Sequence, residues 1–149
     1  MRKVVAVVGG PFVLVAAVAI GVVWWDRGAP PGFDPPIFDV EIEEITRDHR
    51  GVRLKGTGHY EAKVLQTASN GDTWTLFPLF PTGDTIGREV HVLVRTTLVP
   101  DDLYSFEDLV IEGMARPPGR LVPRAAREAI YDRGYSLTED YVLVEHKVP

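Results

Sequence analysis

From Val4 to Trp25 the chain runs for 22 residues without a charged side chain. No other feature limits its folding more. As a helix, a run of that length spans about 33 Å at ~1.5 Å per residue, which matches the hydrocarbon core of a bilayer. Arg2 and Lys3 precede it, and Trp24 and Trp25 close it where an aromatic pair suits the interface. The pattern predicts a transmembrane anchor over 1–25, single-pass, with the N-terminus cytoplasmic. The rest of the chain is then expected on the extracytoplasmic, periplasmic side of a cell inner membrane. Gly9, Gly10 and Pro11 predict a kink in the first half of that helix. The rival reading is a cleaved signal peptide with its small-residue site at Ala17–Ala19. Cleavage there would leave the apolar stretch IGVVWW at a new terminus, which favours the retained anchor.

Arg2 and Lys3 are the only charges in the first 25 residues, so the remaining 14 basic and 21 acidic residues carry a formal charge of −7. Phosphate-backbone affinity rests on basic neutralisation, so the balance argues against nucleic acid as a partner. The chain has no cysteine, which excludes disulfides, thiolate metal sites and cysteine nucleophiles.

Residues 26–36, DRGAPPGFDPP, hold four prolines and two glycines and predict an extended spacer. The domain expected over 37–149 reads mainly as strands. FDVEIEEIT alternates and predicts a strand over 38–46. GVRLKGTGHYEAKVLQ (51–66) predicts a long two-part strand, bulged or bent at Gly56 and Gly58. SNGD (69–72) and PTGD (81–84) are turns. TWTLFPLF (73–80) reads as a strand in which Pro78 marks an edge or an end. REVHVLVRT (88–96) alternates, with Val90, Val92 and Val94 expected on one face. VPDDLYSFED (99–108) has the look of a helix start capped by Asp101 or Asp102, and LVIEGMA (109–115) of a short buried strand. Pro123, RAAREAIYDR and Gly134 predict one late helix, with Arg124 and Glu128 able to pair on its solvent face. YVLVEH (141–146) ends the domain as a strand. The expected fold is mostly β: a small barrel of the oligonucleotide/oligosaccharide-binding (OB) type with one late helix, behind a single transmembrane helix.

The sequence carries no P-loop, G-x-S-x-G, H-E-x-x-H or G-x-G-x-x-G, and its four histidines lack zinc-site spacing. No metal site and no catalytic residue are expected. His59 shares a strand face with Glu61 and Lys63 and is expected in solvent. His91 is expected to be partly buried and structural, and His49 to sit in a turn. Arg116, Arg120, Arg124 and Arg127 fall within twelve residues. They could meet an anionic ligand or lipid headgroups, although a solvated face balancing nearby acids is the plainer reading. His146 reads either as a polar cap facing water or as a ligand.

Asp140, Val142, Leu143 and His146 form D-x-V-L-x-x-H. Val110, Glu112 and Gly113 form V-x-E-G, and Pro100, Asp101, Leu103 and Tyr104 match P-D-L-F with one residue inserted. With the anchor and the barrel pattern, these stretches resemble the periplasmic haem chaperones of cytochrome c maturation. The chain departs from them at Glu145, where the family has a basic residue, and in its helix at 123–133. The family's tyrosine four residues past the histidine would be position 150. The resemblance implies haem as cofactor, attached or axially ligated by His146. Tyr141 and Leu143 would form a flat platform, with Arg116 or Arg120 at the propionates. The expected function is a membrane-tethered, non-catalytic binding or assembly module, and haem carriage for cytochrome maturation is the sharpest version of it that the resemblance implies. The alternatives are a structural accessory subunit of a membrane complex, or a small-ligand or anion-binding domain. The expected partners are the membrane and another membrane-assembly protein.

Overall fold

The computed structural model describes residues 36–48, 51–98, 100 and 103–147. The expected anchor, most of the spacer, His49, Asp101 and Asp102 lie outside the described residues. Among the described residues no helix is long and apolar enough to cross a membrane.

The chain forms strands β1 (Ile37–Asp39), β2 (Gly51–His59), β3 (Val64–Thr67), β4 (Thr73–Phe80), β5 (Glu89–Thr96) and β6 (Phe106–Arg116), helix α1 (Arg124–Asp132), and strand β7 (Ser136–His146). Single 3-10 turns lie at Tyr60–Ala62 and Gly119–Leu121. Five strands close a barrel in the order β2-β4-β5-β7-β6 and back to β2, and β3 adds to β4 outside the ring. Among β2–β7 each pairing is antiparallel except that of β5 with β7. A parallel pair needs a crossover, and here β6 and α1 supply it.

Runs such as YVLV are buried on both faces. Val142 and Val144 point into the barrel with Val52, Leu54, Phe77, Leu79, Val92 and Val94. Tyr141 and Leu143 point outward, beneath Val122, Ala126 and Ile130 of the α1 segment. The helix thus lies on the outer wall, where each fully buried Leu or Ile contributes about 1.5–3 kcal/mol. Pro123 precedes its first turn and Gly134, at φ 87°, follows its end, as expected. Arg124 and Glu128 pair at 2.9 Å. Gly71 and Gly83 take the positive φ that their turns require.

Several expectations are corrected. The strand expected over 38–46 ends at Asp39. Glu41–Ile45 is instead a helical turn, with the amides of Glu44 and Ile45 both bonded to the Glu41 carbonyl. Ile42 and Ile45, three apart, can both enter the core from such a turn. Val90 does not share a face with Val92 and Val94. The register shifts between Val90 and Val92, and Val90 joins the outer core. Four residues of β7, 138–141, lie opposite that irregularity, and Arg47 donates to the carbonyls of Glu139 (3.1 Å) and Tyr141 (2.9 Å) there. Pro78 lies within β4, where the strand's neighbour changes from β3, last paired at Leu76, to β2, first paired at Leu79. A missing amide is tolerated where the ladder lapses. The segment expected to open a helix leads instead into β6, eleven residues long.

Gly56 and Gly58 do not bulge β2, whose register against β6 is unbroken from Gly51 to His59. The two-part strand breaks at Tyr60–Ala62 instead. Gly56 serves close approach: a Cβ there would lie 2.5 Å from the Phe80 carbonyl oxygen and 2.9 Å from Leu79 Cγ. The next residue, Thr57, begins the β2–β4 pairing that closes the ring. Gly113 stands where β6, still paired with β2 on one edge, begins to pair with β7 on the other, and a Cβ there would collide with the Glu145 carbonyl. Gly56→Ala and Gly113→Ala should therefore each destabilise the domain by about 1–3 kcal/mol, as overpacking does. Gly71→Asn, at an open turn with φ 92°, should cost less, because Asn tolerates positive φ. Chemical denaturation of the three variants checks the order.

Candidate functional site

Of the residues described, His59 has the most chemically distinctive surroundings. It is 0% exposed, not solvated as its strand face implied. The strand ends at His59 and the chain turns into the 3-10 turn, so alternation no longer relates it to Glu61 and Lys63. Its ring stacks on Phe80 at 4.1 Å and meets the edge of Phe106 at 4.9 Å. Nε2 lies 2.7 Å from the Asp84 carbonyl oxygen, and Nδ1 lies 2.9 Å from the Tyr135 hydroxyl. A carbonyl only accepts, so Nε2 carries the proton; Nδ1 of the neutral ring then accepts from Tyr135. Burial pushes the His59 pKa down, and nearby Arg88 acts in the same direction. Burial and the Glu61 charge push the Tyr135 phenol up to about 12. Arg88 lies over the Tyr135 ring at 4.9 Å and pairs with Glu61 at 3.7 Å. Both ring nitrogens are committed, so the cluster ties β2, the β4–β5 loop and the start of β7 together. A sequence signal for it existed in Tyr135, which directly follows the helix-ending Gly134.

A second polar group lies beside it. The Thr57 hydroxyl donates to Asp108 at 2.5 Å and accepts from the Gly83 amide at 2.8 Å. The Tyr60 hydroxyl donates to Glu107 at 2.7 Å. These carboxylates hold hydroxyls across the β2–β6 seam.

The residues named from the haem-chaperone resemblance do not gather on one surface. His146 is half-buried, paired in register with Gly113, and its Nδ1 lies 2.9 Å from the Thr96 hydroxyl. Burial lowers its pKa. It follows Val142 and Val144 on the barrel's inner face, whereas Tyr141 and Leu143 face outward beneath α1. Tyr141 is 7% exposed and Leu143 0%, so the expected platform is covered. Burial also raises the Tyr141 phenol. Arg116 pairs with Glu145, which also binds Arg95 at 2.9 Å. Arg95 lies 3.7 Å over the Trp74 ring. Arg120 is exposed in its 3-10 turn. As placed, these five residues do not fit one flat macrocycle.

Of the other arginines in that run, Arg124 holds Glu128, and Arg127 donates to the Val122 carbonyl at 3.0 Å. His91 is half-buried, as expected, and bonds the Ile45 carbonyl at 3.1 Å. Among the described residues no group of three or more His, Cys, Asp or Glu could hold a metal ion. No family model, no curated protein and no solved structure matches this chain.

The His59 cluster sets a pH dependence. Its folded-state pKa lies below the unfolded value, so the unfolded chain binds more protons as pH falls below about 6.5. Folding stability should therefore drop between pH 7.5 and 5, with half-buried His146 acting in the same sense. His59→Gln keeps a donor for Asp84 and an acceptor for Tyr135 but cannot titrate. It should flatten the slope while lowering stability at pH 7.5. Urea midpoints across that pH range check both effects.

Proposed function

We propose that this chain is a membrane-tethered, extracytoplasmic binding or assembly module, built on an OB-type barrel and acting without catalysis. The observation that carries the reading is the strand order. Numbered along the chain, the five barrel strands run first, second, third, fifth, fourth and back to the first, with third and fifth parallel. That closed order supports an OB-type scaffold, whose ligands are met by an outer strand face and its flanking loops. Here α1 occupies much of that outer face. Recognition then falls to the edges and loops, where Ile86, Leu98, Leu103 and Tyr104 are exposed. The uncharged run from Val4 to Trp25 supports the tether and an inner-membrane location, and the domain's acidity supports a protein partner in membrane assembly over nucleic acid.

Haem carriage on His146 is the narrower reading, and the D-x-V-L-x-x-H match favours it. In that reading the helix would have to leave the Tyr141 and Leu143 wall.

One experiment with two arms tests the proposal. Protease added to sealed spheroplasts should digest the domain, and protection until lysis would overturn the tethered, outward orientation. Haem added to the detergent-solubilised full chain should give the same spectrum for wild type and His146→Ala. A Soret shift that His146→Ala abolishes would replace the assembly reading with haem carriage.

A further inference from the structure

Among the described residues β3 pairs with β4 alone, from Val64↔Leu76 to Thr67↔Thr73, which leaves its other edge open. The Ala68 amide donates to the Asp72 carbonyl at 2.7 Å in the same register. Hydrogen-bonded pairs recur at every second position of an antiparallel ladder. Gln66 and Val64 therefore face β4, while the amides and carbonyls of Leu65 and Thr67 point away from it. Among the described residues neither has a backbone partner on that side. Leu65 is also 61% exposed, a large apolar side chain on an open edge.

Such edges are ordinarily guarded by a charge, a proline or a bulge. β3 has none of these: from Val64 to Asn70 the sequence is VLQTASN. The stretch carries no charge in a domain of strongly negative charge, so two equally acidic copies can approach there with little repulsion.

We propose that β3 pairs antiparallel with β3 of a second copy of this chain about a two-fold axis at Gln66. The stretch is self-complementary in that register. Leu65 of each copy lies opposite Thr67 of the other and exchanges two N–H···O bonds with it, which satisfies all four outward groups in each copy. The two Leu65 side chains fall on one face as diagonal neighbours. Lys63 of each copy approaches the Ser69–Asp72 turn of the other, whose charge is the Asp72 carboxylate. The pairing does not depend on the chain's cargo or orientation, so it stands or falls separately from the function proposed above.

The absence of cysteine makes the test direct. On the axis the two Gln66 residues form a non-hydrogen-bonded pair with Cα atoms about 4.5 Å apart, within the roughly 4.4–6.8 Å that a disulfide spans. Full-length Gln66→Cys, oxidised in whole expressing cells, should run as a disulfide-linked homodimer on a non-reducing gel. Ile86→Cys, equally able to collide from an exposed loop, should not. Adding Thr67→Pro should abolish the dimer, because Thr67 directs its amide outward and loses no bond to β4. Leu65→Lys, which changes only an exposed side chain, should do the same with an unchanged melting curve. Cross-linking of Gln66→Cys no stronger than that of Ile86→Cys would overturn the proposal. So would a cross-link to a different protein, or a dimer that survives Leu65→Lys.

Discussion

At Gly56 the backbone of β2 lies against the Phe80 carbonyl, and at Gly113 that of β6 lies against the Glu145 carbonyl. At each place a strand gains a second neighbour: β2, paired with β6 along one edge, meets β4 on the other, and β6, paired with β2, meets β7 on its other edge. The ring closes where these two seams meet, and the backbones approach there so closely that a Cβ at either position would have to displace its neighbour. Closure in turn creates the two cores. The inner one is filled by side chains from all five strands, and the outer one lies between the wall and α1. An unclosed sheet would leave Val52 and Leu54 in water.

The same closure decides what the surface can offer. A helix seated on the outer wall covers Tyr141 and Leu143, and Glu145 holds the arginines nearest to His146 along the sheet. The buried polar side chains bond one element to another: His59 joins the β4–β5 loop to the start of β7, Thr57 joins β2 to β6, and Arg47 fills the irregular stretch of β7. The interior and the wall beneath α1 are therefore committed to the fold. Among the described residues the loops, the open edge of β3 and the exposed stretch of β6 around Val110 are left to meet another molecule.

Much of this architecture was legible from residue pattern. Pro123 and Gly134 bracket the helix, Gly71 and Gly83 mark their turns, and the apolar runs at 73–80, 88–96 and 141–146 are strands. What escaped the pattern depends on contacts distant in sequence. Ile42 and Ile45 read as part of an alternating strand, yet a helical turn turns both inward. Val90 parts from Val92 because of an irregularity opposite β7. His59 reads as solvated until Asp84 and Tyr135, 25 and 76 residues away, fold over it. The candidate site was less legible still. D-x-V-L-x-x-H places His146 and Tyr141 on one strand, but their separation by five positions sends them to opposite faces, and nothing local says which face a helix will cover.

Closure of the ring at both seams can be read from backbone nuclear Overhauser contacts of the isotopically labelled full chain in detergent micelles. Contacts should join Gly58 to Leu79 and Gly113 to His146, together with those of the parallel β5–β7 pair. A spectrum in which β2 contacts β6 but Gly58 shows no contact with Leu79 would describe an open sheet and contradict that closure.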